Sequence, residues 1–283
     1  MDDRLWPIIL ELLPPPQAPA DHRRRYDDRT VLAVGLWAIL HDRPVSWACR
    51  PGSWPDAARP PRLPHPSTLS RRGRRPGLRA AAGRVHRRAV ARLRVRTRHA
   101  ALDGRPLVVG GATGDREATA GRAVRGLARG YKLHALVAAG VVVSFVVAPL
   151  HAAEPVMARP LVARAPRRIT RVVADANSDG VPLHRVAAAH GRRLYTPIRN
   201  GRVGRRRQPE RVRLLRVNGT TAGRRLLRSR DAVERAFARM SNLGCGYKGL
   251  PAWVRRRERV EAWMWGKVLV YHAHLIRLRE QIA

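Results

Sequence analysis

The spacing of apolar residues changes near residue 98, and this change limits the folds that the chain can adopt. Before it, apolar residues such as Leu78, Val85 and Leu93 recur at near-helical intervals. After it, they form short, nearly continuous runs, as in YKLHALVAAGVVVSFVVAPL, which are typical of buried strands. We therefore expect a helical region at residues 1–96 and a mixed α/β domain at residues 97–283.

The N-terminal region begins with a strong helix signal and continues irregularly. The segment DDRTVLAVGLWAIL predicts an apolar helix with Asp27 or Asp28 as its N-cap. The stretch RPVSWACRPGSWPDAARPPRLPHP that follows is too rich in Pro and Gly to hold regular structure for long.

A short basic helix is predicted in the next segment, PSTLSRRGRRPG. Ser67 can cap this helix, Gly73 can end it, and it carries Arg71 and Arg72. Two interpretations stay open: part of a helix-turn-helix that binds DNA, or a basic helix whose side chains face solvent.

The predicted order of elements from residue 98 onward is β-β-β-α-β-α-β-α. RHAALDGRPLVVGG indicates a strand that ends at Asp103, an Asp-Gly turn and a second strand. Two strands joined near Ala139-Gly140 follow, then a helix at residues 154–164 and a strand at residues 169–174 that ends at Asp175. The segments VPLHRVAAAHG and RRLYTPI predict a helix and a further strand.

This succession is that of a ribonuclease-H-like domain, in which the first strand lies next to a later, parallel strand. Crossover connections of this kind bring the ends of the first and fourth strands side by side. Asp103 and Asp175 are therefore expected to be neighbours. After an Arg-rich loop, a helix is predicted near Arg230, and a long helix closes the chain, with one apolar face made of Val260, Trp263, Met264, Val268, Tyr271, Leu275 and Leu278.

The chain contains few acidic residues, which makes three of them conspicuous. It has 20 Asp and Glu against 57 Lys and Arg. Asp103 and Asp175 end strands, and Glu234 borders the apolar stripe of the helix in RSRDAVERAFARMSN. Such a carboxylate cluster is the kind of site that Mg²⁺ occupies together with substrate phosphates, where two ions serve phosphoryl transfer.

Each of these acids also has a simpler interpretation. Asp103 in LDGR can be the first residue of a hairpin turn. Asp175 can be a helix cap, with Asp179 as a competitor. Glu234 can pair with Arg230 four residues earlier on the helix. The combination in this strand order favours the metal site.

The charge of the chain indicates a polyanionic partner. The formal net charge is +37, and nucleic acid is the usual partner of such a surface. We expect phosphate contacts from a set of basic residues: Arg71, Arg72, Lys132, Arg202, Arg205, Arg206, Arg207 and Arg230. For Lys132, a surface strand lysine is an equally good interpretation. His134 is expected to be packed, and Asp115 to bond a nearby Arg.

Other site classes are disfavoured. Cys49 and Cys245 fit no zinc spacing. No apolar run reaches the ~18–20 residues of a membrane span, and the acidic start MDDRLWPIILELLPPP is unlike a secretory signal. We therefore expect an intracellular protein without a membrane partner.

Four stretches resemble the DDE transposases of bacterial insertion sequences: LDGRPL, GDREATAGRAVRGLARGYKLHALV, VVADANSDG and RDAVERAFARMSNLG. The closing LPAWVRRRERVEAWMWGKVLVYHA also resembles the C-terminal helix of this family. The resemblance implies that Asp103, Asp175 and Glu234 are the catalytic, metal-holding acids, with Mg²⁺ or Mn²⁺ as cofactor. It further implies a cytoplasmic, nucleoid-associated enzyme. Such an enzyme acts as a homodimer or larger multimer on the terminal inverted repeats of an element and on target DNA.

One branch of this family carries Tyr-x2-Arg-x3-Glu-x6-Lys around its catalytic Glu. Arg230 and Glu234 match this pattern, whereas Leu227 and Ser241 stand at the Tyr and Lys positions. Two rivals to a transposase remain: a metal-dependent nuclease of the same fold, and a decayed or domesticated protein that binds DNA without cutting it.

Overall fold

A computed structural model describes residues 3–16, 25–110, 114–198, 209–243 and 249–282. The helices of these ranges are α1 (Trp6–Leu12), α2 (Asp28–Leu40), α3 (Val45–Ala48), α4 (Pro66–Gly73), α5 (Pro76–Arg92), α6 (Glu154–Arg164), α7 (Val181–Ala189), α8 (Pro209–Asn218), α9 (Thr221–Arg228), α10 (Asp231–Asn242) and α11 (Arg257–Glu280). The strands are β1 (His99–Val108), β2 (Thr119–Ala123), β3 (Gly126–Ala138), β4 (Val141–Pro149), β5 (Arg171–Val173) and β6 (Arg193–Tyr195).

The chain forms two compact units. One contains residues 1–94 together with residues 240–283, and the other contains residues 95–239. In this division, residues 240–283 group with the N-terminal helices and not with the sheet.

The helical unit is built around α11. Val260, Met264 and Val268 of this helix are fully buried, and Leu278, which was predicted on the same face, is exposed. Gly266 allows α2 to approach closely, since a Cβ at this position would overlap Ile39 Cδ1. A cluster of three tryptophans, Trp6, Trp37 and Trp54, lies at the other side of α2.

The helix caps of this unit follow the sequence in part. Asp27 caps α2, as expected, because its Oδ1 accepts a hydrogen bond from the Thr30 amide at 2.8 Å. The cap predicted for α4 is wrong: His65 and not Ser67 is the N-cap, with its Nδ1 accepting from the Ser67 amide at 3.3 Å. Gly73 ends the helix as predicted.

The second unit is a mixed sheet with the strand order β2-β3-β1-β5-β6, in which β4 also pairs with β3. β1 is antiparallel to β3 and parallel to β5, and β6 is parallel to β5. The path β4-β3-β1-β5-β6, with its antiparallel meander followed by parallel crossovers, is the ribonuclease-H-like topology. The prediction of a mixed α/β fold of this class is confirmed.

The sheet differs from the sequence analysis in two places. β1 has no Asp-Gly turn, because Asp103 pairs with Ala135 and Gly104 with His134 within one continuous ladder. β2 was not predicted, because TAGRA contains no apolar run and obtains its partner, residues 126–130 of β3, only in the folded chain.

Several helices of this unit pack against the sheet. α6 has the predicted bounds and packs against β3 and β4. The region before Arg230 was expected to be a loop, whereas it contains α8 and α9. Leu214 of α8 packs with Val173 and Tyr195 in an apolar cluster. Within the ranges that the structure describes, no helix is long and apolar enough to cross a membrane.

Candidate active site

Asp103, within β1, and Asp175, two residues after β5, lie at the same level of two adjacent parallel strands. The register pairs Ala101 of β1 with Val173 of β5, so that two further residues along each chain lead to Asp103 and Asp175. β5 ends at Val173, whereas β1 continues. The pairing between β1 and β5 therefore stops at Ala101↔Val173, before it reaches Asp103.

The two aspartates line one small pocket in the α/β unit. Glu154, the first residue of α6, lies in the wall of this pocket with them. The lining residues are Leu102, Asp103, Gly104, His134, Glu154, Ala158, Asp175 and Ser178. Asp103 and Asp175 are thus neighbours, as the strand order predicts.

The surroundings of Asp103 raise its pKa to about 6. Burial of the carboxyl is the main cause, since the low dielectric disfavours the charged form, and the negative charges of Glu154 and Asp175 act in the same direction. The amide of Gly104, which donates to Asp103 Oδ1 at 2.7 Å, and the charge of Arg230 lower the pKa. Asp103 is therefore a partly desolvated carboxyl among like charges.

Asp175 acts as a cap in this structure. Its Oδ1 accepts hydrogen bonds from the Ser178 amide at 3.2 Å and the Ser178 hydroxyl at 3.1 Å, at the start of a short 3-10 helix. Asn177 donates to Oδ2 at 3.0 Å. Asp179, the competing cap, is instead held by Arg211, whose Nε and Nη2 bind its two carboxylate oxygens at 2.7 and 2.5 Å.

Glu234 lies on α10, whose buried side is formed by Val233 and Phe237. Its own side chain is about half exposed and accepts a hydrogen bond from Arg230 Nη2 at 2.8 Å. Arg230 Nη1 lies 3.9 Å from Asp103 Oδ2. The ion pair between Arg230 and Glu234, predicted as the simpler interpretation of Glu234, is therefore present. Arg230 also lies close to Asp103 in the pocket.

A second ion pair, which the sequence did not reveal, borders the pocket. Lys132 Nζ donates to Glu154 Oε1 at 2.9 Å, and both side chains are largely buried. Gly104 makes room for this pair, since a Cβ there would lie 2.8 Å from Lys132 Cδ and 3.2 Å from both Glu154 Oε1 and His134 Nδ1. His134 is buried as expected, and burial lowers its pKa to about 4.

Asp115, which was expected to bond a nearby Arg, has several described partners. It is buried and its carboxylate accepts a hydrogen bond from the Tyr131 hydroxyl at 2.9 Å and from the Glu117 amide at 3.1 Å. Arg129 Nη2 donates to the backbone oxygen of Asp115 at 3.5 Å. Asp115 therefore fixes the loop before β2 to β3.

Residues 95–272 match a family model described as the transposase DDE domain. The chain belongs to this family. No curated protein and no solved structure matches the chain. Membership indicates a function in DNA transposition, with DNA as partner and divalent metal ions as the usual cofactor of the family.

The pocket contains two of the three acids that were predicted to hold a divalent metal ion. The carboxylates of Asp103 and Asp175 are hard oxygen donors, and their shared negative field is the environment that a divalent cation would neutralise. In the described ranges, no three His, Cys, Asp or Glu side chains are arranged to hold a metal ion together. The third acid, Glu234, is bound to Arg230 instead.

The basic residues predicted to contact DNA have different surroundings. Arg71 is exposed on α4, whereas Arg72 is buried and donates to Asp28 Oδ1 at 2.5 Å and to the Tyr26 carbonyl at 3.0 Å. Lys132 is engaged with Glu154 and Arg230 with Glu234. Four predicted contacts lie outside the described residues: Arg202, Arg205, Arg206 and Arg207.

Leu227, which stands at the Tyr position of the branch pattern, has a defined packing environment. It packs at the edge of the apolar cluster formed by Val173, Tyr195 and Leu214. A leucine at the Tyr position of the pattern therefore has a packing role in this chain.

Proposed function

We propose that this chain is a DNA transposase that cleaves the ends of an insertion element and joins the freed 3′-hydroxyl groups to target DNA. The observation that supports it is the convergence of Asp103 and Asp175 on one pocket in a DDE domain. The net charge of +37 supports DNA as the substrate, because phosphate neutralisation and counterion release favour binding.

Asp103, Asp175 and Glu234 are the residues that would hold Mg²⁺ or Mn²⁺, as a pair of ions in this proposal. Bound divalent ions lower the pKa of a water or hydroxyl nucleophile and stabilise charge on the phosphate oxygens. Asp103 and Asp175 are fixed by the sheet and by the Ser178 cap, so that their carboxylates are held in place before a ligand arrives.

Glu234 and Arg230 would change partners when the site is loaded. Glu234 is half exposed and sits on one face of α10, so a change of rotamer frees its carboxylate from Arg230. The guanidinium of Arg230, once released beside Asp103, suits a substrate phosphate, which it can bind through two parallel hydrogen bonds. Arg71 and the arginines of residues 202–207 would add further phosphate contacts.

Two observations favour a second candidate, a DNA-binding protein that has lost catalysis. Glu234 is neutralised by Arg230, and Leu227 and Ser241 depart from one branch of the family. A nuclease of the same fold would share the pocket and differ in its products.

The test uses plasmid DNA that carries the sequences flanking this gene. Purified full-length chain is incubated with Mg²⁺ or Mn²⁺, and cut and joined products are separated on gels. We expect cleavage and joining by the wild type, with Asp175→Asn and Glu234→Gln inactive yet able to bind DNA in mobility-shift assays. Asp231→Asn, an exposed acid on α10, is the control and should remain active.

The products separate the candidates. Cleavage without joined ends would indicate a nuclease. Site-specific binding without cleavage in either metal would indicate the DNA-binding candidate. Cleavage retained by both Asp175→Asn and Glu234→Gln would remove the proposed roles of these acids.

A further inference from the structure

A two-stranded hairpin extends from the sheet of the α/β unit. It consists of β2 and the first residues of β3, paired from Thr119↔Gly130 to Ala123↔Gly126, and we call residues 119–130 the arm. β1 ends opposite Gly130, where Val108 is its last strand residue, and β4 begins its pairing with β3 only at Tyr131. Most of the arm therefore lies beyond the main sheet.

The two faces of the arm have different surroundings. One face lies against the rest of the unit, because a Cβ on Gly121 would meet Leu150 Cγ at 2.8 Å. The cross-strand pairs Arg122↔Leu127 and Ala120↔Arg129 form the other face, and all four residues are exposed. Since paired residues of a ladder point to the same side, this open face sets an arginine opposite an apolar residue in each of the two pairs.

The arm combines positive charge with exposed apolar side chains. It contains three arginines and no acid. Arg129 donates to the Ala118 carbonyl at 3.0 Å and so supports the arm, whereas Arg122 and Arg125 have no hydrogen-bond or ion-pair partner within the described ranges.

Val124 and Leu127 are 92% and 87% exposed, the highest values among the large hydrophobic residues described in this unit. A single exposed leucine is ordinary, but two apolar residues beside free arginines on a projecting turn suit a partner that is both anionic and partly apolar. The edge of a DNA groove has both properties, since phosphates flank sugars and thymine methyl groups.

The arm is connected to the candidate active site by a single strand. β3 runs from the arm to His134, which lines the pocket with Asp103. At ~3.3 Å per residue, Arg129 lies about 17 Å and Leu127 about 23 Å along the strand from His134. With a duplex rise of about 3.4 Å per base pair, these lengths correspond to about five to seven base pairs.

We propose that the arm docks into a groove of duplex DNA about five to seven base pairs from the phosphate that occupies the pocket. Arg122 and Arg125 contact phosphates, and Val124 and Leu127 contact the apolar edges of the groove. A two-stranded ribbon has the width that the major groove admits. The position of the DNA rests on the proposed function, whereas binding of duplex DNA by the arm does not.

The first test measures binding without catalysis. Affinity for a labelled duplex from the flanks of the gene is measured in EDTA over a range of salt concentrations, for wild type and Arg122→Gln/Arg125→Gln. Loss of two phosphate contacts should reduce the slope of log K against log salt by about 1.8. The matched control, Arg167→Gln/Arg185→Gln, removes two exposed arginines elsewhere in the same unit and should leave the slope unchanged.

The second test locates the contact. Hydroxyl-radical footprinting with wild type should protect the duplex about five to seven base pairs from the cleaved end, and Val124→Ser/Leu127→Ser should lose this protection while keeping the salt slope. Thermal unfolding checks each variant, and no loss of fold is expected because the changed side chains face solvent.

An unchanged slope and an unchanged footprint in the arm variants would overturn the proposal. So would normal DNA affinity combined with a loss of multimers in analytical ultracentrifugation, since the arm would then join copies of the chain. A wild type that binds through the arm but never cuts DNA would contradict the proposed function alone.

Discussion

The guanidinium of Arg230 donates to Glu234 at 2.8 Å while its other terminal nitrogen lies 3.9 Å from Asp103. The cation thereby lies between two of the three acids that the proposed function assigns to metal binding. A positive charge at this position neutralises both carboxylates as long as no divalent ion competes with it. Arg230 and the metal should therefore oppose each other.

Replacement of Arg230 by Gln should strengthen metal binding. The change removes the competing charge, so Mn²⁺ titrated into DNA-free protein should bind several-fold more tightly, as measured by calorimetry. The control is Arg228→Gln, an exposed arginine two residues earlier, which should bind Mn²⁺ like the wild type. Equal affinities in the two variants would show that Arg230 does not compete.

Replacement of Asp103 by Asn should stabilise the metal-free protein at neutral pH. The pKa of Asp103 rises from 3.8 to about 6 on folding, so the folded chain binds the proton more tightly than the unfolded chain. The ionised carboxylate thus destabilises the fold by about 3 kcal/mol above pH 6, and this penalty disappears as the pH falls through 6 toward 4.

The expected result is a higher urea midpoint for Asp103→Asn than for wild type at pH 7.5, with the difference lost near pH 4. Asp231→Asn, which alters an exposed acid, should show no such dependence on pH. A destabilised Asp103→Asn at pH 7.5 would mean that the carboxylate is better satisfied than its surroundings indicate.

Lys132 and Glu154 should depend on each other energetically. Their ion pair is 2.9 Å long and both side chains are largely buried, so removal of either partner leaves a poorly solvated charge. We expect Lys132→Met and Glu154→Gln each to lower the free energy of unfolding. The double variant should lose less than the sum, by about 1 kcal/mol, in a double-mutant cycle. Additive losses would contradict a direct pair.

Lys267 should be important for the stability of the helical unit. Its side chain is buried, and Nζ donates to the Ile39 carbonyl at 3.0 Å and to Asp42 Oδ1 at 2.6 Å. Lys267→Ala would leave both acceptors without this donor and should cost about 3 kcal/mol of unfolding free energy. Asp42→Asn should cost less, because Asp42 is 42% exposed and Asn tolerates its positive φ of 51°.

The sequence was sufficient to predict those helices and strands whose structure depends mainly on their own residues. The apolar runs of β3 and β4 and the periodicity of α6 and α11 appear in the structure close to where they were expected. The placement of Asp103 beside Asp175 followed from topology alone, because parallel neighbours of a crossover sheet share an edge.

The remaining features depend on contacts between distant residues. The Asp103-Gly104 turn was predicted from local propensity, but pairing with Ala135 and His134 overrides it. Glu154 resembled an ordinary acid in the first turn of a helix, and only the fold brings it to Lys132. The roles of the three acids in catalysis and of the basic residues in DNA binding stay predictions.

The helical unit is discontinuous in sequence, and this has a consequence for how the protein is made. Residues 240–283 complete a core whose other helices are synthesised before residue 94. On the ribosome, α1 to α5 are therefore synthesised long before α11, because the whole α/β unit lies between them in the sequence. During that time, the apolar faces of α1 to α5 lack their packing partner. Contacts between such distant segments also slow folding in a complete chain. Synthesis that stops before residue 257 would leave the first-made helices as targets for chaperones and proteases.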